Sequence, residues 1–390
     1  MLIKNVLTSV SESFNYKDKT KVIFLNTGDI LEGKFLHSNL SNVKTLPGQA
    51  KKSIKHNDIL YSEIRPINKH FALVNFEETN NYVVSTKLMV LRNISESYNT
   101  KFIYQYLTSD KVIYDLQTMA ESRSGTFPQI TYEQLSTINL PDISLDEQQH
   151  IVNILGSIDN KIENLELITK KLQLEIKFNF IKEYNNLMSE KVIALEELVS
   201  ETIPGDWGKD SLEGNYTTEV TCVRGADLPD LKNCNIDNAP TRFIINKNYI
   251  SKKLQEYDFI VEMSGGSPTQ STGRTAFIPK DFENISNNLI CTNFCKAIRC
   301  KNKENAIYCY LLFDMWYDSG LFFNYEIGTT GLKNFNLDAV LGLDIKHPTD
   351  EFLYNISNKF DLFYNKVIKN SQKIKKLNAL KQLYLKKFFG

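Results

Sequence analysis

Several things are missing from this 390-residue sequence. It has no excess charge: 46 Lys and Arg are balanced by 46 Asp and Glu. A strongly basic coat that holds nucleic acid by charge alone is therefore excluded, and any phosphate contact must come from a local patch. No cysteine occurs before Cys222; Cys222, Cys234, Cys291, Cys295, Cys300 and Cys309 all lie in the second half. A disulfide framework would normally staple both halves, and no C-x-x-C pair offers zinc-knuckle spacing, so reduced thiols in a cytoplasmic protein are expected. No apolar run reaches the roughly 18 residues of a membrane span; the most apolar stretch, Cys309 to Tyr317, is interrupted by Asp314. The opening MLIKNVLTSVSESF has no long apolar core and no small-residue cleavage site, which argues against secretion.

The tools of catalysis are missing too. There is no G-x-x-x-x-G-K-[ST] phosphate loop, no H-E-x-x-H metal helix and no G-x-S-x-G nucleophile elbow. The N-P-P-[FY] or D-P-P-[FY] tetrapeptide of amino-methyltransferases is absent, as is a Gly-rich methyl-donor loop. The five histidines are scattered, and His150 reads as a solvated helix residue. Glu175-x-Lys177 has a nuclease-like spelling but falls in a helical stretch, where a solvated ion pair is expected. No catalytic residue, no metal and no cofactor are expected of this chain.

What is present is a folded protein with a repeat. Hydrophobic content of 42% and charged content of 24% are those of a globular chain, and the length allows two to three domains. Four patches recur in order about 200 residues later. Thr27-Gly28-Asp29-Ile30 matches Gly225-Ala226-Asp227-Leu228, and Asn57-Asp58-Ile59-Leu60 matches Tyr257-Asp258-Phe259-Ile260. Gly125-Thr126 matches Gly328-Thr329, and Asn160-Lys161-Ile162 matches Asn365-Lys366-Val367. So long a period means two copies of a domain-sized unit, not a solenoid.

Each copy ends in a helical heptad seam. Ile151, Leu155, Ile158, Ile162, Leu165, Thr169, Leu172 and Ile176 form one; Ile356, Phe360, Phe363, Val367, Asn370, Ile374 and Leu377 form the other in the same register. The apolar members of both are the expected helix–helix interface. Ser144-x-x-Glu147 spells a capping box, and Pro348-Thr349-Asp350-Glu351 supplies a cap and acids to the second start. Some 40 residues make a rod of about 60 Å. The first rod is near neutral while the second is lysine-rich, consistent with the two pairing; a lysine face serving another partner or DNA phosphates stays open. The plan is a mixed α/β globule over 1–143, a helix over 144–188, a second globule over 189–347 and a helix over 348–390. The globules contain β-rich runs such as Lys21–Leu25, Tyr82–Ser85 and Phe243–Ile245, with helices near Thr100–Met119 and Glu304–Ser319.

Two polar segments in each copy look functional. In the second copy, Met263-Ser-Gly-Gly-Ser-Pro-Thr-Gln-Ser-Thr-Gly-Arg274 combines glycines, which let backbone amides approach a ligand, with hydroxyl, amide and guanidinium donors. Its counterpart is Ser62–His70. The other segment is Glu121–Gln129, opposite Gly328–Lys333. The first pair also reads as a β-hairpin turn with solvated tips, and the second as a turn entering the rod. The donors they offer for phosphates or base edges are Arg65, Asn68, Lys69 and Arg123 in the first copy. In the second copy they are Ser264, Ser267, Thr269, Gln270, Ser271, Arg274 and Lys333, with Arg224, outside both segments, as a further candidate.

These residues resemble the specificity subunit of type I restriction-modification systems, over essentially the whole chain. The likeness rests on Val261–Arg274, on Gly205-Asp206-Trp207-Gly208 and on the junction Ile138-Asn139-Leu140-Pro141 running through Glu147-Gln148 to Ile151-Val152. That junction looks like the family's I-x-x-P-x-x-x-x-E-Q start of the conserved central helix. The second copy departs from it, with Phe352 and Leu353 where Glu147 and Gln148 stand. The resemblance implies an α+β fold with two α/β target-recognition domains, separated by two long antiparallel coiled-coil helices in a pseudo-twofold repeat. It further implies that each domain reads one half of a split double-stranded DNA site and that the helices act as a ruler. The implied partners are two methyltransferase subunits and restriction-translocase subunits, with no membrane. The subunit itself would be non-catalytic, within an adenine methyltransferase and ATP-dependent endonuclease. A related restriction-methylation system and a scaffold that binds only proteins are the alternatives.

Overall fold

The computed structural model describes residues 1–122, 127–188, 191–282, 288–328 and 331–390. Tertiary contacts divide the chain into two units: Met1–Lys161 with Leu377–Gly390, and Ile162–Lys376. Each globule therefore takes part of both long helices into its own body. The sequence-derived boundaries, which kept the helices separate from the globules, describe elements and not compact units.

In the first unit, a four-stranded antiparallel sheet runs Leu7–Val10, Leu88–Asn93, Ile59–Ser62, Phe71–Leu73 from edge to edge. A second sheet has the order Leu40–Asn42, Lys21–Leu25, Tyr82–Ser85, Ala50–Ser53, with its central pair parallel. Ile59, Leu60, Val90 and Leu91 are fully buried, as a strand covered on both faces requires. Helices Thr100–Leu107 and Asp110–Glu121 cover one face, where Phe102, Ile103 and Leu116 join Ile3, Leu7, Ile59 and Leu91 in one core.

The second unit repeats this plan. Val199–Pro204, Cys295–Cys300, Phe259–Glu262 and Thr275–Phe277 form a four-stranded antiparallel sheet in the same order of equivalent strands. Tyr216–Val223 pairs antiparallel with Thr241–Ile245 and parallel with Leu289–Cys291, as Lys21–Leu25 does with Leu40–Asn42 and Tyr82–Ser85. Helix Lys303–Asp318 covers the sheet, and Tyr308, Leu312 and Phe313 are fully buried.

The duplication extends to a buried ion pair. Arg92 donates to both oxygens of Asp58 at 2.7 and 2.8 Å and reaches Glu12 at 2.7 Å. Arg299 donates to Asp258 at 2.9 and 2.7 Å and reaches Glu201 at 2.8 Å. Asp58 and Asp258 are 0% and 1% exposed, so the bidentate guanidinium is what makes a buried carboxylate tolerable. The preceding residues, Asn57 and Tyr257, both take positive φ, at 67° and 69°. The match Asn57-Asp58 with Tyr257-Asp258 thus marks one turn made twice. All six cysteines are free thiols.

The long helices are Leu145–Asn186 and Asp350–Phe389. The first begins at the expected capping box: Glu147 N donates to Ser144 Oγ at 3.3 Å, and Ser144 N donates to Glu147 Oε2 at 3.0 Å. In the second, Phe352 N donates to Thr349 Oγ1 at 3.2 Å. Within the second unit, Asn370 bonds Thr169 and Lys359 pairs with Glu183, so one number falls as the other rises and the helices are antiparallel. Within the first unit, Lys381 pairs with Asp159 at 2.7 Å, and Leu385 and Phe389 share a core with Ile151, Val152 and Leu155.

The seam residues divide into two groups. Ile151, Leu155, Ile158, Ile176, Ile356, Phe360, Phe363 and Val367 are buried. Ile162, Leu165, Leu172, Ile374 and Leu377 are half-buried. Phe360 packs on Phe277 with ring centroids 4.8 Å apart, so the seam of the second helix is also a wall of the domain core. One expectation is corrected. Lys177 forms no local pair of the solvated kind with Glu175; it is drawn to Asp314 at 2.8 Å and Asp318 at 2.5 Å, across from its helix. Asp314 is 6% exposed and also holds Lys232 at 2.5 Å. Burial works against its charge, but Lys232 and Lys177 outweigh it and hold the carboxyl below the usual carboxylate range.

Candidate nucleic-acid interface

In the second unit the fold brings the two polar segments together. Strand Phe259–Glu262 runs into Ser264–Gly265, which pairs with Lys333–Phe335, and this pairs with Glu326–Ile327. Gly265, Gly266 and Gly273 have φ of 152°, 79° and 90°. At Gly273 a Cβ would also lie 2.7 Å from Phe322 and 2.9 Å from Phe335, so no larger residue fits that turn. The tip closes at Ser267, whose amide donates to Gln270 O at 2.7 Å, leaving Thr269 and Gln270 exposed.

Charge fixes the base of this loop. Arg274 Nε donates to Glu262 Oε2 at 2.9 Å and Nη2 to Oε1 at 2.5 Å, with Glu262 only 3% exposed. That hydrogen-bonded carboxylate holds the Arg274 guanidinium above its ordinary pKa. Glu326 accepts from the Thr272 amide at 2.8 Å and pairs with Lys333. Burial resists its ionisation, but Lys333 and the Thr272 amide prevail and keep its pKa low. Arg224 is held by Asp227, donating to it from Nε at 2.9 Å and Nη2 at 2.8 Å. Ser271 is 3% exposed and sits inside the loop. Of the second-copy residues singled out from the sequence, Thr269 and Gln270 are exposed, while Ser264 and Ser267 are half-buried and the Ser264 hydroxyl is given to Asn334. Arg224, Arg274 and Lys333 are tied to carboxylates.

The first unit assembles the equivalent pair. Ile64 bridges Gln129, Arg65 N donates to Pro128 O at 3.1 Å, and Ile130 N donates to Glu63 O at 2.8 Å. Arg65 and Lys69 bracket a short turn with φ of 44° and 56°. Arg65 and Asn68 are exposed, whereas Lys69 stands 3.4 Å from Glu32 and 3.5 Å from Asp110. Arg123 lies outside the described residues.

Sequence reasoning missed the acids, Glu262 and Glu326, that hold the loop, and the exposed Asn334, whose Oδ1 accepts from Ser264 Oγ at 2.5 Å. It also missed Arg242, stacked 4.2 Å over the exposed ring of Trp207, in the approach segment that helped carry the resemblance. Gln148 turns out to be fully buried, accepting from Asn99 N at 2.8 Å and donating to Ser97 O and Ile143 O at 3.1 Å each. It ties the helix start to the first domain. Leu353, which stands in its place in the second copy, is instead buried in the apolar core, beside Phe352 packed on Phe180 and Tyr308. The polar and apolar solutions explain the departure seen in the sequence.

Among the described residues no helix is long and apolar enough to cross a membrane, and no group of acids, His and Cys could hold a metal. The fold and loops define a class: a duplicated α+β protein whose two mixed domains each present a polar loop pair, with a pair of antiparallel helices shared between the copies. The type I restriction modification DNA specificity domain matches residues 3–175. The type I restriction enzyme HindI specificity subunit of Haemophilus influenzae is 43% identical over 169 residues, 43% of this chain and 37% of that protein. The matched stretch therefore spans well under half of that relative. The MjaIX specificity subunit of Methanocaldococcus jannaschii is 23% identical over 307 residues, 71% of this chain and 67% of its own length. A solved type I system S subunit from M. genitalium shares the fold with a TM-score of 0.52 at 16% identity, covering 100% of this chain and 95% of that one. Over residues 3–175 the chain is therefore similar to the specificity subunits of type I restriction-modification systems, and its second half repeats the same fold.

Proposed function

We propose that this chain is the DNA-reading, non-catalytic subunit of its complex, and that each globular domain reads one half of an asymmetric, bipartite duplex site. The observation that carries the reading is the double one. Two domains with the same strand order each bring two polar loops to the same place, while the loop sequences differ. Equal scaffolds with unequal tips suit two unequal half-sites. Arg65 and Asn68 in the first domain, and Ser264, Ser267, Thr269 and Gln270 in the second, are the proposed contacts. Lys69, Arg224, Ser271, Arg274 and Lys333 shape the loops from beneath, and Arg123 belongs with the first loop by sequence.

The helices set the spacer and dock two methyltransferase subunits, with restriction-translocase subunits joining them. A neutral chain suits this role, because partners can supply much of the phosphate binding. Expression with the methyltransferase partner, followed by sequencing of the methylated motif, tests the reading. A split, non-palindromic motif is expected. One heptad added to each helix lengthens them by about 10 Å and should widen the spacer by about three base pairs. A palindromic motif, or an unchanged spacer, would overturn the corresponding part.

A further inference from the structure

The small sheet of Ser264–Gly265, Lys333–Phe335 and Glu326–Ile327 has one covered face and one open face. Glu326 and Phe335 oppose each other and turn inward, each side chain 3% exposed. One position along, Ser264, Asn334 and Ile327 stand directly opposite one another. Opposed residues of a ladder share a face, so these three form a row of hydroxyl, carboxamide and branched alkyl. Asn334 is exposed and Ile327 is 56% exposed. With strands about 4.8 Å apart the row spans roughly 10 Å, which fits the roughly 12 Å width of a B-form major groove.

The carboxamide is held in one orientation. Ser264 Oγ donates to Asn334 Oδ1, and a carboxamide oxygen accepts two bonds while its nitrogen donates two. This leaves one Oδ1 lone pair and the Nδ2 hydrogens of this exposed side chain available to a ligand. That is the complement of an adenine edge, with N6–H entering Oδ1 and Nδ2–H reaching N7. Ile327 beside it supplies the apolar contact suited to a thymine C5-methyl. The first domain places a carboxamide at the equivalent point: Gln129 opposes Ile64, as Asn334 opposes Ser264.

We infer that Asn334 and Ile327 are specificity-determining residues of the second domain, reading an adenine and a nearby thymine methyl, with Ser264 as the positioning residue. The inference rests on the DNA-reading function proposed above. Its test uses the complete complex with its methyltransferase partner and the sequenced methylated motif. Asn334→Asp keeps the acceptor for Ser264 but removes the Nδ2 donor. Preference for adenine at one position of one half-site should fall about 10- to 100-fold and move toward cytosine, with the other half and the spacer unchanged. Asn334→Ala should leave that position degenerate. Duplexes carrying uracil for thymine should bind the native complex several-fold more weakly, and Ile327→Ala should no longer distinguish the two. An unchanged motif in both Asn334 variants would overturn the inference while leaving a split-site reader standing. Loss of methylation at every site with both variants would make Asn334 a structural residue and overturn it equally. A native complex without a split motif would remove the underlying function itself.

Discussion

The helix seam contains a polar pair whose removal gives a sharp test of what sets its register. Asn370 is 9% and Thr169 5% exposed, and Asn370 Nδ2 donates to Thr169 Oγ1 at 3.1 Å. Thr169 in turn donates to Leu165 O at 2.9 Å, so the hydroxyl is fully engaged. Replacing both residues, Thr169→Val with Asn370→Leu, removes a hydrogen bond of about 0.5–1.5 kcal/mol. It buries a leucine side chain that contributes about 1.5–3 kcal/mol. The double variant should therefore be more stable by about 1–2 kcal/mol, with less discrimination against shifted helix pairings. Thr169→Val alone leaves the buried amide without its acceptor and should cost about 1–3 kcal/mol. Both tryptophans, Trp207 and Trp316, lie in the same unit as the pair, so their emission during urea titration reports on it. The expected order of midpoints is double variant, native, single variant. A double variant below the native protein, or a Thr169→Val protein equal to it, would refute the account of the pair as a stability cost carried for register.

Two further outcomes follow from buried charge. Arg299→Met strands Asp258, which is 1% exposed, and should cost about 3–5 kcal/mol in thermal or urea unfolding. Glu201→Gln removes an acid that is 52% exposed and should cost less than about 1 kcal/mol; equal losses would show that the exposed arm matters as much as the buried one. Asp314 is held below its ordinary pKa, so its contribution is complete above the unfolded value of about 3.9 and fades as the pH falls through the folded one. Below about pH 4 the native urea midpoint should drop more steeply than that of Asp314→Asn; parallel curves would count against it.

Periodic features were legible in the sequence because a helix writes its contacts at short range. The seams and the Ser144–Glu147 box follow from spacing of three, four and seven residues, whereas the antiparallel sense of the helices was implied only by the resemblance. The Asp58 and Asp258 patches were recognisable as repeats, but their arginine partners lie 34 and 41 residues away on neighbouring strands. Spacing cannot announce such a pair. The same blindness hid the carboxylate partners of Arg274 and Lys333, since Glu262 and Glu326 meet them only once the loop and hairpin have closed. Asn334 stayed unnoticed because its significance depends on cross-strand register, which emerges from the pairing of a two-residue strand with a three-residue one. Local chemistry can be read along the chain; loop chemistry is decided by what folds beneath it.

The first unit is discontinuous in sequence, and this has a consequence for synthesis. Its core holds Leu385 and Phe389, with Phe389 packed edge-on against Phe102 and Tyr106 at 5.7 and 5.3 Å. Residues 1–161 therefore leave the ribosome with an apolar surface that can be covered only after roughly 200 more residues have been made. At about 5–20 residues per second that interval is on the order of 10–40 s. The domain built on Met1–Lys161 is translated before the second and finished only after it, so the nascent chain must be kept from aggregating for the length of an entire second domain.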